Sequence, residues 1–292
     1  MSRQSADVVG RYHYMTIEGV EYRVYVEESG SGVPVVLQHT AGCDGRQWRH
    51  LLEDPEIAGQ FRLIAADLPY HGKSLPPTDV QWWKEDYVLT EEFLIEFHIK
   101  LAEQLGLDRP IYVGCSMGGH LAADLALQAP EHYRAFVGIE AALHSHGMER
   151  ILPNLYHPEI GNETKAALML TMCAPTSPEQ LVRETGWVYS QGAPGVFKGD
   201  LEYYMVEHDL TDKAHTIDTT NLGFWILSGE YDWTAPPTAG ELLAAEIDGA
   251  KFVVMDGMGH FPMTENPEKF KGYIVPILQE AAALELAPLA NA

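Results

Sequence analysis

A serine in a glycine-bracketed turn is the strongest chemical signal in the sequence. Ser116 is the centre of Gly114-Cys115-Ser116-Met117-Gly118, directly after the apolar run Ile111-Tyr112-Val113 and before a helical pattern. In a G-x-S-x-G turn of this kind the serine backbone is strained and its hydroxyl is exposed, so small residues must flank it. The following helix points its positive end at the same place, which favours a developing oxyanion. The pattern predicts that Ser116 is a nucleophile.

A serine hydroxyl is a weak nucleophile until a base takes its proton. His260 lies in Gly257-Met258-Gly259-His260-Phe261, a short loop directly after the last apolar run, residues 251–255. Of the thirteen histidines, it alone occupies a glycine-bracketed loop just beyond a predicted strand near the C-terminus. We therefore predict that His260 is the base.

The base needs a carboxylate that fixes its tautomer and stabilises the imidazolium. Asp232 follows the apolar run 224–227 and gives the chain order Ser, Asp, His. Glu230 lies nearer that run, and we expect it to be structural or at the surface. Glu140, at the end of the apolar run 135–139, is the stronger rival, because some enzymes take their acid from that strand. We favour Asp232, and Glu140 stays open as the alternative.

A tetrahedral intermediate also needs hydrogen-bond donors for its oxyanion. The backbone N–H of Met117, the residue after the nucleophile, is the first expected donor. The second should come from the loop after Val35-Val36-Leu37, which reads Gln38-His39-Thr40-Ala41-Gly42. We choose Ala41, with Thr40 as the next alternative.

The candidate site residues must be positioned by strands and helices. Along the chain, short apolar runs alternate with helical patterns. Residues 12–27 alternate polar and apolar side chains around Glu18-Gly19, which is typical of a hairpin. After Thr90, a plausible N-cap, apolar residues recur every four positions until Gly106, and a second helix is expected over 117–129. The alternation predicts an α/β fold around a mostly parallel sheet. Its strands are expected at residues 34–37, 61–66, 111–113, 135–139, 224–227 and 251–255.

Residues 144–222 lack a strong strand pattern and contain several prolines and patches of helical periodicity, such as residues 165–172. We predict a mainly helical cap here, inserted between two parts of the core, 1–143 and 223–292; ordinary peripheral helices are the alternative. Aromatic residues of this stretch either line an apolar substrate pocket or pack the cap on the core: Tyr156, Trp187, Tyr189, Phe197, Tyr203 and Tyr204.

Cationic residues and further histidines near the predicted site have two interpretations. Lys165, Arg183 and Lys198 could bind a substrate carboxylate, but we favour exposed, solubilising charges. The three histidines His120, His144 and His146 could line the pocket, and we favour structural or rim positions for them.

Composition excludes several classes of partner. The 292 residues are 46% apolar and 21% charged, with a formal net charge of −23, so nucleic acid and anionic membranes are disfavoured. The polar N-terminus has no signal-like core, and no window reaches a membrane span. Three scattered cysteines indicate reduced thiols in the cytoplasm. Cys115 is expected to be a buried small residue, and a homodimer is an open alternative.

Five segments in this order resemble the α/β-hydrolase superfamily over residues 33–277, the cap apart, and look like its capped carboxylesterase, lactonase, perhydrolase and C–C hydrolase branch. They are 37–42, 66–74, 114–119, 229–232 and 259–261. The resemblance implies an eight-stranded, mostly parallel sheet with helices on both faces and a cap between strands six and seven. It also implies structural roles for Asp67 and Gly72. One departure is His39-Thr40, where the family usually has His-Gly, so the oxyanion geometry is less closely matched.

Together these features favour a hydrolase of a small-molecule ester or lactone that forms an acyl-enzyme and needs no cofactor or metal. Cleavage of a C–C bond in a diketone-like substrate uses the same residues and stays open, as does a non-enzymatic receptor on the same fold. Perhydrolysis is a conceivable side activity. Halide displacement is disfavoured, because it uses an aspartate where this chain has Ser116.

Overall fold

The computed structural model describes residues 7–145 and 163–285. Within these ranges, eight strands form one sheet in the order β1-β2-β4-β3-β5-β6-β7-β8. Their bounds are β1 Val8–Ile17, β2 Val20–Gly30, β3 Val33–Gln38, β4 Phe61–Ala66, β5 Ile111–Cys115, β6 Ala135–Ile139, β7 Gly223–Gly229 and β8 Lys251–Met255.

The first two strands form the predicted hairpin. They pair antiparallel from Val8 opposite Ser29 to Ile17 opposite Val20. Glu18 and Gly19 between them have φ of 49° and 77°, the two positive values that a tight two-residue hairpin turn requires. β2 is also antiparallel to β4, and all pairs from β4 to β8 are parallel. The mostly parallel, eight-stranded sheet is confirmed.

Helices lie between the strands and cover the sheet. Their bounds are α1 Arg49–Leu52, α2 Pro55–Ala58, α3 Glu91–Leu105, α4 Met117–Gln128, α5 Glu163–Met172, α6 Glu179–Ser190, α7 Val196–Glu202, α8 Pro237–Glu246, α9 Pro262–Glu265 and α10 Pro267–Ala282. α3 begins and ends as predicted: the Thr90 side chain accepts a hydrogen bond from the Phe93 N–H, and Gly106 closes the helix in the left-handed conformation.

Two hydrophobic cores lie on opposite faces of the sheet. Tyr112 of β5 packs into the core that contains α3, α4 and α8, whereas its neighbours Ile111 and Val113 pack into the core that contains α1 and α10. Successive side chains of a strand point to opposite faces, so a strand with a core on each side must be apolar throughout. This explains why the central strands are continuous apolar runs in the sequence.

The described residues 163–222, which we call the cap segment, connect β6 to β7. They contain α5, α6, α7 and a π-helical turn, Tyr203–Glu207, and among the residues the structure describes none of them joins the sheet. The helical pattern at 165–172 is confirmed as part of α5. Tyr156 and His146 lie outside the described residues, and the domain limits at 144 and 222 remain a prediction.

No helix among the described residues is both long and apolar enough to cross a membrane.

Candidate active site

Ser116 occupies a sharp turn between β5 and α4. Its backbone has φ of 57° and ψ of −115°, a conformation that costs a non-glycine residue about 1–3 kcal/mol. Two hydrogen bonds hold it there: the Ser116 N–H donates to the Ile139 carbonyl at 2.8 Å, and the His120 N–H donates to the Ser116 carbonyl at 2.9 Å. A Cβ on Gly114 would overlap the Gly118 carbonyl, so the turn needs glycine at that position.

The structure brings His260 and Asp232 together. His260 Nδ1 lies 2.6 Å from Asp232 Oδ2, and both side chains are buried. Thr234 completes the group, because its hydroxyl lies 2.7 Å from Asp232 Oδ1 and 3.0 Å from His260 Nδ1. Burial opposes ionisation of Asp232, but His260 and Thr234 hold its pKa well below its ordinary value. A carboxylate bonded to Nδ1 fixes the orientation of the imidazole ring and leaves the other ring nitrogen, Nε2, without a bond to Asp232.

Glu140 lies behind Asp232. It is fully buried, has φ of 54°, and accepts a hydrogen bond from the Gly229 N–H at 2.8 Å. Its other carboxyl oxygen, Oε2, has no hydrogen-bond partner among the described residues. Burial and the Asp232 charge raise the pKa of Glu140 well above its ordinary value, so this group is a neutral acid. Among the described residues, its side chain is hydrogen-bonded to Gly229 and not to His260.

The loop after β3 contains three successive backbone amides, at Thr40, Ala41 and Gly42, and two of them are bonded to protein side chains. The Thr40 N–H donates to Gln47 Oε1 at 2.9 Å, and the Gly42 N–H donates to Asp200 Oδ2 at 2.6 Å. Between them, the Ala41 N–H meets no hydrogen-bond acceptor among the described residues, and Ala41 lines the same cavity as Ser116. Met117 is the first residue of α4, where N–H groups have no partner within the helix. Both predicted donors are therefore available.

His39 organises this loop. Its Nδ1–H donates to the Thr40 carbonyl at 2.9 Å, and its Nε2 accepts from the Leu68 N–H at 3.2 Å, so the ring is neutral. Burial lowers the pKa of His39 to about 4, in keeping with that state. Asp67 has a similar structural role, since it accepts hydrogen bonds from the Gly45 and Lys73 N–H groups at 2.8 Å each.

Ser116 and His260 open into a cavity of about 450 Å³ beneath the cap segment. Among its described lining residues, His260 is the only titratable cation, and most of the wall is apolar. The apolar lining consists of Ala41, Leu168, Met169, Met172, Phe197, Leu201, Met205, Trp233 and Phe261. Tyr204 lines the same cavity as Ser116, and burial raises the pKa of Tyr204.

The cap segment also touches the loop of His260. The His260 N–H donates to the Met172 carbonyl at 3.0 Å, and the buried Glu265 accepts from the N–H groups of Gly259 and Ala174. A Cβ on Gly259 would overlap the backbone of residues 172–174, so this glycine permits a close approach.

Several residues singled out in the sequence lie away from the chemistry. The preferred interpretation of Lys165 as an exposed charge is wrong: only 9% of it is exposed, and it packs near the Phe197 ring. Arg183 is exposed and pairs with Glu179. None of the three cationic residues lines the cavity. His120 is structural, because its Nδ1 donates to the Ser116 carbonyl at 2.9 Å.

Cys115 and a metal site are two alternatives to Ser116 as the reacting group, and the described residues support neither of them. Cys115 is buried, its thiol donates to the His260 carbonyl at 3.3 Å, and burial raises its pKa well above the ordinary value. Within residues 7–145 and 163–285, no three His, Cys, Asp or Glu side chains lie close enough to hold a metal ion.

The sequence model of the alpha/beta hydrolase family matches residues 35–271. The chain belongs to this family. A putative non-heme haloperoxidase of Mycobacterium phage D29 is 26% identical over 257 residues, 85% of this chain and 88% of the relative. A pimeloyl-[acyl-carrier protein] methyl ester esterase of Nitrosomonas europaea is 24% identical over 262 residues, which cover 85% of this chain and 96% of the relative. A thermophilic esterase from Thermogutta terrifontis has a similar fold, with a TM-score of 0.80 at 22% identity, covering 94% of this chain and 100% of the other.

Sequence reasoning did not single out Thr234, Asp200, His71 or Glu265. Thr234 alone had a local signal, since a threonine two residues after an aspartate is placed to satisfy its carboxylate. The other three act across contacts between the cap segment and the core, which no local pattern reveals.

Proposed function

We propose that this member of the alpha/beta hydrolase family cleaves a carboxylic ester or lactone through an acyl-enzyme on Ser116, with His260 as base and Asp232 as orienting acid. The observation that carries the proposal is the 2.6 Å contact between His260 Nδ1 and Asp232 Oδ2, at the wall of a cavity that also contains the strained Ser116. The methyl ester esterase relative agrees with this class of reaction.

The reaction follows from the positions of these groups. His260 takes the Ser116 proton on Nε2, the serine oxygen attacks the substrate carbonyl, and the N–H groups of Ala41 and Met117 stabilise the oxyanion. When the C–O bond breaks, the leaving oxygen takes the proton from His260 and the acyl group stays on Ser116. Water, deprotonated by His260, then attacks the acyl-enzyme and releases the acid. Each oxyanion donor in such sites contributes about 3 kcal/mol.

The cavity favours an uncharged, apolar substrate. Its described lining offers no lysine or arginine to a substrate carboxylate, and a buried, unpaired charge would be costly. A volume of about 450 Å³ suits a small molecule. Tyr189 and Tyr204 of the cap segment are polar residues in this lining. Neutral esters and lactones with apolar acyl groups are therefore the proposed substrates.

Covalent labelling tests the proposal. A fluorophosphonate should label the wild type at Ser116, and the wild type should hydrolyse a p-nitrophenyl ester of a short acid. Ser116→Ala should lose both properties, whereas Ser29→Ala, a change in β2 outside the cavity, should keep both. A folded wild-type protein that is neither labelled nor active would contradict the proposal.

A further inference from the structure

The cap segment holds the loop of Ala41 on both sides of that residue. The hydroxyl of Tyr189, in α6, forms a hydrogen bond with Thr40 Oγ1. The carboxylate of Asp200, in α7, accepts the Gly42 N–H at 2.6 Å. The two residues that flank the candidate oxyanion donor are therefore held by the cap segment, although the loop belongs to the core sheet.

Asp200 is fully buried at this contact and is paired there with His71. Besides the Gly42 N–H, its Oδ2 faces His71 Nε2 at 2.8 Å, and its Oδ1 accepts the Tyr87 hydroxyl at 3.1 Å. His71 Nδ1 lies 2.9 Å from the Pro69 carbonyl, which can only accept, so both ring nitrogens carry hydrogens. Burial opposes that charge, but Asp200 raises the pKa of His71 above its ordinary value. The group is an imidazolium–carboxylate pair with three hydrogen bonds to the carboxylate.

The backbone around Ala41 has little freedom once these bonds form. The amide before it, at Thr40, is held by Gln47, and the amide after it, at Gly42, is held by Asp200. Gly42 has φ of 67°, and a Cβ there would press on the Phe197 ring of the cap segment. Because a peptide unit is planar, fixing the Gly42 N–H also fixes the carbonyl end of Ala41. The Ala41 N–H lies in the preceding peptide unit, whose Thr40 carbonyl accepts from His39 Nδ1, so Asp200 fixes the Ala41 backbone from its carbonyl side.

We propose that Asp200 is a positioning residue that aims the Ala41 N–H at the reacting carbonyl oxygen, so that docking of the cap segment on the core assembles the oxyanion site. This inference rests on the proposed function, because it assigns a role to Ala41 in the same reaction. Asp200 is not among the described residues that line the cavity. Its loss should therefore affect stabilisation of the oxyanion rather than binding of the substrate.

A second cluster supplies a matched control. Asp124 of α4 is also buried, accepts the Tyr203 hydroxyl, and faces His208 Nδ1 at 2.8 Å. His208 Nε2 faces the Ala142 carbonyl at 3.0 Å, so this pair has the same ionic character. Like Asp200, it joins the core to the cap segment. Among the described residues, none of its hydrogen bonds reaches the Ala41 loop.

The experiment compares Asp200→Ala with Asp124→Ala on a neutral p-nitrophenyl ester and on a trifluoromethyl ketone of similar shape, which forms an oxyanion with Ser116. Both variants should lower the thermal midpoint. Asp200→Ala alone should lower kcat by roughly 10- to 100-fold with KM within about threefold, since losing one oxyanion donor outright costs about 10²–10³. Its affinity for the ketone should fall by the same factor as kcat/KM.

Asp200→Asn keeps one acceptor oxygen for the Gly42 N–H, so it should recover most of the lost kcat and ketone affinity. If Asp200→Ala does not fold, Asp200→Asn decides alone: a parallel, smaller fall in kcat and ketone affinity supports the inference, and an unchanged ketone affinity overturns it. Equal kinetic losses in the Asp200 and Asp124 variants overturn this inference and leave the proposed function intact. A wild type that is inactive towards the ester and does not bind the ketone overturns both.

Discussion

Two carboxyl groups meet behind His260, and their different surroundings divide the roles between them. Asp232 receives hydrogen bonds from Thr234 and from His260, and these hold its pKa well below the ordinary value. Glu140 is enclosed by protein and lies next to that negative charge, so it keeps its proton. Neighbouring carboxyl groups in a buried site cannot readily both be ionised. Asp232 is therefore the group that can orient and stabilise an imidazolium.

Replacement of each acid tests this division. Asp232→Asn should lower kcat by about 10³- to 10⁴-fold, because the amide does not stabilise the imidazolium and favours the wrong tautomer. Glu140→Gln replaces a neutral acid by a neutral amide of similar size, so kcat should stay within about tenfold of the wild type. Steady-state rates on one p-nitrophenyl ester check both. A large loss for Glu140→Gln with little loss for Asp232→Asn would reverse the assignment.

Site residues that directly follow strands could be predicted from the sequence, whereas residues that contact the site from the cap segment could not. Ser116, Asp232 and His260 each come just after an apolar run, and parallel strands end at one edge of the sheet. Asp200 has no such marker: it lies in a helix of the cap segment, and its partners are 129 and 158 residues away in sequence. The burial of Lys165 was missed for the same reason, since only tertiary packing encloses it.

Among the elements, the turn between β5 and α4 has the strictest backbone requirement. Its strained Ser116 depends on the close passage of Gly114 past the Gly118 carbonyl, and a Cβ on Gly118 would press on the Gln38 side chain. The glycines therefore supply the space that the turn needs, and the cost of losing them is steric.

We predict that Gly114→Ala lowers the free energy of unfolding by roughly 2–4 kcal/mol, because the neighbouring backbone must move to admit a methyl group. Gly272→Ala is the matched control: this exposed glycine of α10 has open space at its Cβ, and alanine should stabilise the helix by about 0.5–1 kcal/mol. Urea unfolding of both variants measures the difference. A Gly114→Ala protein as stable as the wild type would show that the turn is not this tightly packed.

Elements with strong periodicity were predictable, and short ones were not. The strands β3 to β7 are mostly apolar because each packs on two cores, and α3 carries its own start and stop residues. The edge strand β8 has exposed residues at Lys251 and Val254. The four-residue helices α1, α2 and α9 are too short for a periodic pattern to emerge. Their positions depend on packing with α10 and the sheet, which the sequence does not display locally.

Across the described residues, this strongly acidic chain buries two histidines against aspartates. The formal net charge is −23, yet His71 and His208 each face a buried aspartate. Burial opposes their protonation, but these aspartates raise the pKa of both histidines above the ordinary 6.5. Glu140 also retains a proton that it would release in the unfolded chain. These three groups therefore bind protons more tightly in the folded state.

This proton retention sets the direction of the pH dependence of stability. The contributions of His71 and His208 are fully present below pH 6.5 and are lost as pH rises through their higher folded-state pKa values. The contribution of Glu140 to stability is present below its ordinary pKa of 4.5 and is likewise lost as pH rises above that value towards its higher folded-state pKa. The pKa values of His39, His98 and His120 are lowered to about 4, about 3 and about 3, and that of His50 is also lowered. These four groups act in the opposite direction near pH 6.5 and contribute little above about pH 7.5, where the unfolded histidines are neutral as well.

We therefore predict that the free energy of unfolding falls as pH rises from about 7.5 to roughly 8.5. The double variant Asp124→Asn/His208→Gln removes one ion pair and should reduce this slope by up to about 1.4 kcal/mol per pH unit, the value for one proton. His98→Gln, which removes a histidine that is neutral in this range, should keep the wild-type slope. Urea unfolding at about 0.5 M NaCl separates this effect from surface repulsion, because salt screens exposed charges far more than buried pairs. A wild-type stability that is flat or rises over this range would mean that these histidines are neutral in the folded protein.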